Sequence, residues 1–244
     1  MKAFIFAAGI GSRLRPLTDT MPKALVPLCG KPLIQHVIDN LKSQGVTDFV
    51  VNVHHFATLL TNYIAHCADA ASIAISDESE CLLDTGGAIK HAAQLLVGGN
   101  FLIHNVDIVS DFDLSLFLNN VRPEALATLL VSERKTSRYL LFDNDYRLMG
   151  WTNVDTGEVK SPYKNIDVAA CRRLAFSGIH YLSARVTELM SDYPDCFSII
   201  DFYIDHAARY PIYGYVQPNL HLIDVGKPDA LARAEQLLQS KNVF

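Results

Sequence analysis

The chain has 244 residues, half of them hydrophobic, with 26 acidic against 21 basic side chains and a formal net charge of −5. That length suits one sizeable α/β core rather than two large domains, and the charge leaves no basic footprint for nucleic acid. No apolar run approaches the roughly 20 residues of a membrane span, and the short apolar run after Lys2 passes straight into a glycine turn, unlike a secretory leader, so a cytoplasmic protein without membrane contact is expected.

Phe4-Ile5-Phe6-Ala7 is a short buried-strand signal. It is closed by Ala8-Gly9-Ile10-Gly11-Ser12, whose glycines let backbone approach a ligand closely. Arg13, Arg15 and Lys23 follow in a segment whose only acid is Asp19, a charge pattern suited to a polyphosphate. Neither common phosphate loop fits, because Leu14 stands where the dinucleotide fingerprint needs a small residue and Gly-Lys-Ser/Thr is absent. For Gly-x-Gly alone, a structural turn with solvent-facing arginines is the plainer reading.

After a turn at Cys29-Gly30-Lys31, Pro32 opens a helix with Leu33, Val37, Ile38 and Leu41 on one face, and Gly45 ends it. Residues 47–53 read as a strand, 58–66 as a helix and 72–75 as a short strand. This alternation implies a Rossmann-like α/β fold: a mostly parallel central sheet flanked by helices, with ligands beyond the C-terminal ends of the strands. Asp84-Thr85-Gly86-Gly87 then leads into a helix running to about residue 96. As an ordinary helix start, Asp84 or Thr85 is its N-cap; as a ligand site, Gly86 and Gly87 leave bare backbone and free amides for a flat base.

Residues 100–107 form an apolar strand ending in Asn105-Val106-Asp107. Asp111 and Asp113 read as turn or cap residues. His104 has no His/Cys cluster at metal spacing and reads as a packed histidine at the strand end. Residues 114–118 suit a helix and 125–131 a buried strand, after which 139–143 and 147–151 form a β-hairpin around Asn144-Asp145. Polar sequence runs from 153 to 173. A strand at 176–181, helices at 184–190 and 198–208, a strand at 212–216 and a helix at 228–241 complete the chain. The five cysteines are dispersed, odd in number and free of C-x-x-C spacing, so reduced thiols are expected.

The string Ala7-Ala8-Gly9, Gly11-Ser12-Arg13-Leu14, Pro16-Leu17-Thr18, Pro22-Lys23 and Leu25-Val26-Pro27 resembles the N-terminal signature of sugar-phosphate nucleotidyltransferases. That signature runs A-A/G-G-x-G-S/T-R-L-x-P-L-T, then P-K-x-L-V-P. Further segments resemble the family in the same order. Asp84-Thr85-Gly86-Gly87 matches the base-contacting glycine segment. Asn105-Val106-Asp107 matches N-G-D, with Val106 where glycine is usual. Phe176-Ser177-Gly178-Ile179 matches F-S/A-G-I, and Leu222-Ile223-Asp224-Val225-Gly226 matches W-x-D-V-G, with Leu222 replacing tryptophan and Lys227 following in place of threonine.

The resemblance implies transfer of a nucleotidyl group from an NTP to a sugar 1-phosphate, with release of pyrophosphate. By the same resemblance Ala7, Ala8, Gly9, Gly11, Ser12, Arg13, Gly86, Gly87 and Asn105 meet the nucleotide, and Gly178 lies beside the sugar. Arg13 and Lys23 are the catalytic cations, and Asp107 and Asp224 hold Mg2+. A single domain, 1–244, then divides into a nucleotide-binding part to about 112, a sugar-binding part at about 113–226 with the hairpin as its wall, and the terminal helix. The attacking phosphate oxygen is already anionic, which agrees with the lack of a nucleophile–base constellation.

The D/E-T-G-G form looks most like the N-acetylmuramic acid 1-phosphate uridylyltransferases, which implies UTP as donor. GTP with mannose or heptose 1-phosphate is the alternative, and a non-catalytic nucleotide-sugar sensor is the alternative of another class. Larger relatives place a Glu-Lys-Pro motif after the second hairpin strand. It is missing near residues 151–153, leaving Lys160, Lys164, Arg172 and Arg173 as cations to replace its lysine. The motifs carry no information on oligomeric state.

Overall fold

The structure is a computed structural model and describes residues 1–67 and 70–241. The uninterrupted apolar run at the start becomes strand β1 (Lys2–Phe6), with Ala3, Phe4 and Ile5 fully buried. A small hairpin, β2 (Pro27–Leu28) and β3 (Lys31–Pro32), surrounds Cys29 and Gly30, whose φ values of 49° and 76° make the turn. Helix α1 (Leu33–Ser43) starts directly after Pro32 and buries Leu33, Ile34, Val37, Ile38 and Leu41. The alternation continues through β4 (Asp48–Val53), α2 (Ala57–His66), β5 (Ile73–Asp77), α3 (Asp84–His91) and β6 (Phe101–Asn105).

Strands β5, β4, β1 and β6 lie side by side in that order, all parallel, as the helix and strand alternation demands. This parallel block is the Rossmann-like part of the expected fold. The two faces of its strands feed two apolar layers. Ile5, Val51 and Leu102 pack with α1 on one side, whereas Phe4, Val50 and Ile103 pack with α3 on the other. Each fully buried side chain of this size contributes about 1.5–3 kcal/mol of transfer free energy.

The second half contains β7 (Ile108–Ser110), α4 (Leu114–Leu118), β8 (Ala127–Ser132), β9 (Arg138–Phe142), β10 (Leu148–Asn153), β11 (Glu158–Lys160) and β12 (Arg172–Leu182). It closes with α5 (Arg185–Leu189), α6 (Ile199–His206), β13 (Ile212–Tyr215), β14 (Leu222–Asp224) and α7 (Pro228–Lys241). Strand β12 joins the halves: its C-terminal end runs antiparallel to β6 and β8, and its N-terminal end runs antiparallel to β9. The expected hairpin is β9–β10, extended by β11.

Three boundaries differ from the sequence reading. Helix α3 ends at His91, short of residue 96, and the chain tightens into a 3-10 turn at Ala93–Leu95. There Lys2 Nζ draws in the carbonyls of Leu95 and Val97. Strand β12 begins at Arg172 rather than 176, because β9 offers it a partner from Phe142 to Leu140. The polar stretch after 153 contains β11, an exposed edge strand that exists through pairing with β10. Among the described residues, no helix is long and apolar enough to cross a membrane.

Candidate active site

Strands β1, β4 and β6 end together, with Ile5 beside Val51 and Phe6 beside Asn105. The chain leaving β1 is shaped by a side chain from β4. Buried Asn52 accepts from Ala7 N at 2.7 Å and Ala8 N at 3.3 Å through Oδ1, and its Nδ2 donates to Glu78 Oε1 at 2.9 Å. Both ends of the Asn52 amide are satisfied, as buried polar groups require, while Glu78 Oε2 is buried without a hydrogen-bond partner among the described residues. Burial pushes the Glu78 carboxyl above its ordinary range, against the opposing pull of the Asn52 hydrogen bond.

Gly11 turns the loop with φ of 69°, and a Cβ there would sit 2.9 Å from Thr18 Cγ2 and 3.0 Å from Lys23 Cβ. Thr18 Oγ1 closes the turn by donating to Gly11 O at 2.9 Å. The following 3-10 turn, Ser12–Leu14, puts Leu14 in the core and leaves Ser12 and Arg13 exposed.

Asp107 follows β6 directly. Val106, where the family pattern has glycine, needs no left-handed backbone. It is buried and its N–H donates to Phe6 O at 3.1 Å, continuing the sheet. Strand β14 brings the second carboxylate alongside: Asp224 pairs with Ile108, and Val225 N donates to Asp107 O at 2.9 Å. A Cβ on Gly226 would lie 2.8 Å from Asp224 Oδ1, 2.9 Å from Arg13 Nη2 and 3.4 Å from Asp107 Oδ2. Three charged groups from three distant parts of the sequence therefore converge on one point, which glycine leaves open. Lys23 Nζ donates to Asp107 Oδ2, adding the fourth.

Two carboxylates facing a gap lined by cations form a donor set that suits Mg2+, which takes one or two protein carboxylates and fills its shell with phosphate oxygens and water. Among the described residues no group of three His, Cys, Asp or Glu side chains gathers as a dedicated metal cage.

Two cavities meet these groups. One, of about 470 Å³, is walled by Phe6, Ala8, Gly9, Asn105 and Thr85, with Lys23 and Asp107 also on its lining. The larger, of about 1070 Å³, carries Arg13 and Asp224 together with Trp151, Phe176 and Lys160. Trp151 is half-buried on that wall, with Lys160 Nζ 5.5 Å from its ring centroid.

The amides of Gly86 and Gly87 are not free, although the reading of this segment as a base site expected free amides. Both are buried, and their N–H groups donate to Phe197 O at 2.8 and 3.2 Å. A Cβ on Gly86 would strike the Phe197 ring at 2.3 Å, and one on Gly87 the Asp195 carbonyl at 2.0 Å. The pair seats α3 against the segment before α6, and Leu82, Asp84 and Thr85, around the start of α3, line the smaller cavity. Gly178 is similarly a seat. Its φ is 74°, and a Cβ there would approach Asn105 Nδ2 to 2.8 Å and Ile108 Cγ1 to 2.9 Å. It supports Asn105 from behind and is absent from the lining of the larger cavity.

Of the four cations considered as substitutes for the missing lysine, only Lys160 lines the larger cavity. Its Nζ is 2.8 Å from Asp201 Oδ1, whereas Arg172 stacks on the Tyr146 ring. The sequence reading missed Arg134 and Lys135, in the turn between β8 and β9, and Arg138, the first residue of β9, which all line this cavity. The signal was a basic cluster, Glu133-Arg134-Lys135-Thr136-Ser137-Arg138, lying between two strands.

Behind the site, His104 and His180 are fully buried on β6 and β12. Burial pushes His104 down to about 4 and His180 to about 3. His104 Nδ1 lies 2.8 Å from Asn105 O, and His180 Nδ1 meets the Tyr203 hydroxyl. These are packed, neutral imidazoles rather than proton carriers. Asp113 caps α4, as the sequence suggested, whereas Asp111, instead of a local turn or cap, binds His221 through the backbone N–H and the ring, each at 2.7 Å.

A doubly wound parallel block, with two carboxylates and two cations gathered beside its strand ends, is the setting in which open α/β sheets take their ligands. Residues 2–163 match the nucleotidyl transferase family, and the chain belongs to it, as a sugar-phosphate nucleotidyltransferase. It is 35% identical over 245 residues to the N-acetylmuramate alpha-1-phosphate uridylyltransferase of Caulobacter vibrioides, covering 97% of this chain and 96% of that protein. It is 40% identical over 116 residues to the mannose-1-phosphate guanyltransferase of Hypocrea jecorina, covering 46% of this chain and 32% of that protein. HddC from Yersinia pseudotuberculosis, solved in complex with GMP-PN, has the same fold, with a TM-score of 0.76 at 22% identity over 97% of this chain and 99% of that one.

Proposed function

We propose that the protein transfers the uridylyl group of UTP to N-acetylmuramate 1-phosphate, giving the UDP-sugar and pyrophosphate in a Mg2+-dependent reaction. The observation that carries the reaction is the convergence of Arg13, Asp107 and Asp224 on the point left open by Gly226, with Lys23 against Asp107. The choice of substrates is supported by the 35% identity that spans nearly the whole of both chains. Nucleoside triphosphates are cytoplasmic metabolites, which agrees with a cytoplasmic site of action.

An oxygen of the acceptor phosphate attacks the α-phosphorus, and the bond to the bridging oxygen of the β-phosphate breaks, so that pyrophosphate leaves with the electron pair. The nucleophile is already ionised, and no side chain has to remove a proton. What the reaction needs is positioning and charge stabilisation. In this account Lys23 brings the acceptor phosphate and the α-phosphate together, and Arg13 receives charge on the departing pyrophosphate. Asp107 and Asp224 would hold Mg2+, which when bound supplies Lewis-acid stabilisation of phosphate oxygens. Asn105, propped by Gly178, faces the smaller cavity with the Ala8-Gly9 backbone, where the nucleoside is placed. The larger cavity receives the sugar.

The test is pyrophosphate release across UTP, GTP, CTP, ATP and dTTP, each paired with N-acetylmuramate, N-acetylglucosamine, glucose, mannose and heptose 1-phosphates. UTP with N-acetylmuramate 1-phosphate is expected to lead. Preference for GTP with mannose or heptose 1-phosphate would replace the substrate assignment, and tight nucleotide binding with silence throughout would replace the enzyme by a sensor.

A further inference from the structure

The larger cavity holds more positive charge than one acceptor phosphate calls for. Arg13 already lies with the two carboxylates at Gly226, and Lys160 is held by Asp201. The turn between β8 and β9, with the start of β9, nevertheless brings Arg134, Lys135 and Arg138 to the same wall, and all three are exposed. Among the described residues none of the three is ion-paired with a carboxylate. Clustering unpaired cations costs stability through self-repulsion, so an anion is the natural complement.

The turn is also built to hold its shape. Thr136 N donates to Tyr139 Oη at 3.1 Å, and Arg138 N to Thr136 Oγ1 at 3.3 Å. Arg134 Nη2 donates to Phe176 O at 2.9 Å, which anchors one corner of its guanidinium to the cavity wall and leaves its other N–H groups to be satisfied. Phe176 and Trp151 supply apolar surface on the same lining. Planar arginine forks beside an apolar wall suit a carboxylate on a short alkyl arm, since the fork matches the two oxygens and the wall takes the arm.

We propose that Arg134 and Arg138 recognise a carboxylate that the acceptor carries in addition to its 1-phosphate, so that the enzyme selects sugar-acid 1-phosphates. The lactyl ether of N-acetylmuramate is such a group. This rests on the reading of the larger cavity as the acceptor site of a nucleotidyltransferase.

The experiment compares N-acetylmuramate 1-phosphate with the same molecule bearing a carboxamide in place of the lactyl carboxylate, using UTP and Mg2+. Wild-type protein and the Arg134→Met, Arg138→Met and Arg134→Lys variants are assayed. The wild type is expected to prefer the acid over the amide by about 10- to 100-fold in kcat/KM, as for loss of a charge-assisted hydrogen bond. That preference collapses in the methionine variants through KM rather than kcat, and returns in part in the lysine variant. An equal response to acid and amide in the wild type, or a preference untouched by both methionine substitutions, overturns the proposal. If the wild type turns over neither acceptor, the catalytic reading fails first. Equilibrium binding of the two sugar phosphates then decides the carboxylate site by itself: tighter binding of the acid, lost in Arg134→Met, sustains it, and equal binding overturns it.

Discussion

Lys23 and Asp107 lie 84 residues apart in sequence, yet the lysine ammonium donates directly to the aspartate carboxylate. Their side chains are only 12% and 14% exposed, so the pair sits inside the mouth of the smaller cavity rather than on open surface. A substrate phosphate entering there has to share the ammonium with Asp107, which keeps the lysine aimed before the substrate arrives. Lys23→Met is expected to lower kcat/KM about 100- to 1,000-fold, the scale for losing one preorganised charge contact. Steady-state pyrophosphate release gives the number, and circular dichroism checks that the fold is retained. A loss under threefold with an intact fold would remove Lys23 from the reaction.

Asn52 links β4 to the turn after β1 and to Glu78. Asn52→Leu strips the acceptor from the Ala7 and Ala8 amides and the donor from Glu78. Each buried polar group left without a partner costs about 1–3 kcal/mol. The urea midpoint is expected to fall, and the nucleotide KM to rise because the Ala8-Gly9 backbone loses its template. Unchanged values of both would mean that the turn holds itself.

Neutral buried histidines make the fold acid-sensitive. His104 and His180 have folded values of about 4 and about 3 against an ordinary 6.5. The unfolded chain therefore binds more protons than the folded one as pH drops below 6.5. Their contribution is complete above that value, and each costs about 1.4 kcal/mol per pH unit below it until its folded value is reached. Urea denaturation at pH 7.5, 6 and 5 is expected to show falling stability in the wild type and a shallower slope in His180→Gln. Equal slopes would assign the acid sensitivity to other groups.

The parallel half was legible because its signals are local. Apolar runs of strand length alternate with helix-period faces, and the charge-rich loop after β1 stands out at once. The convergence of Asp107 and Asp224 was legible only through motif resemblance, since nothing in their spacing says that β7 and β14 will pair. The packing role of the glycines was not legible, for a physical reason. Gly86, Gly87 and Gly178 are small because protein, at Phe197, Asp195 and Asn105, occupies the space a side chain would need; a sequence shows that space is required without showing what fills it. The cluster of Arg134, Lys135 and Arg138 was passed over because an exposed basic turn looks the same whether it faces water or a cavity.

In the proposed reaction Asp107 and Asp224 act as one ion-holding pair beside Arg13. The most direct test of that role is a Mg2+ titration of pyrophosphate release from UTP and N-acetylmuramate 1-phosphate by wild type, Asp107→Asn and Asp224→Asn. Metal-dependent release is expected in the wild type, with a loss of about 100-fold or more in either variant, the scale for removing a preorganised electrostatic contact. Release that needs no added metal, or that survives Asp224→Asn at near wild-type rate, would contradict that role.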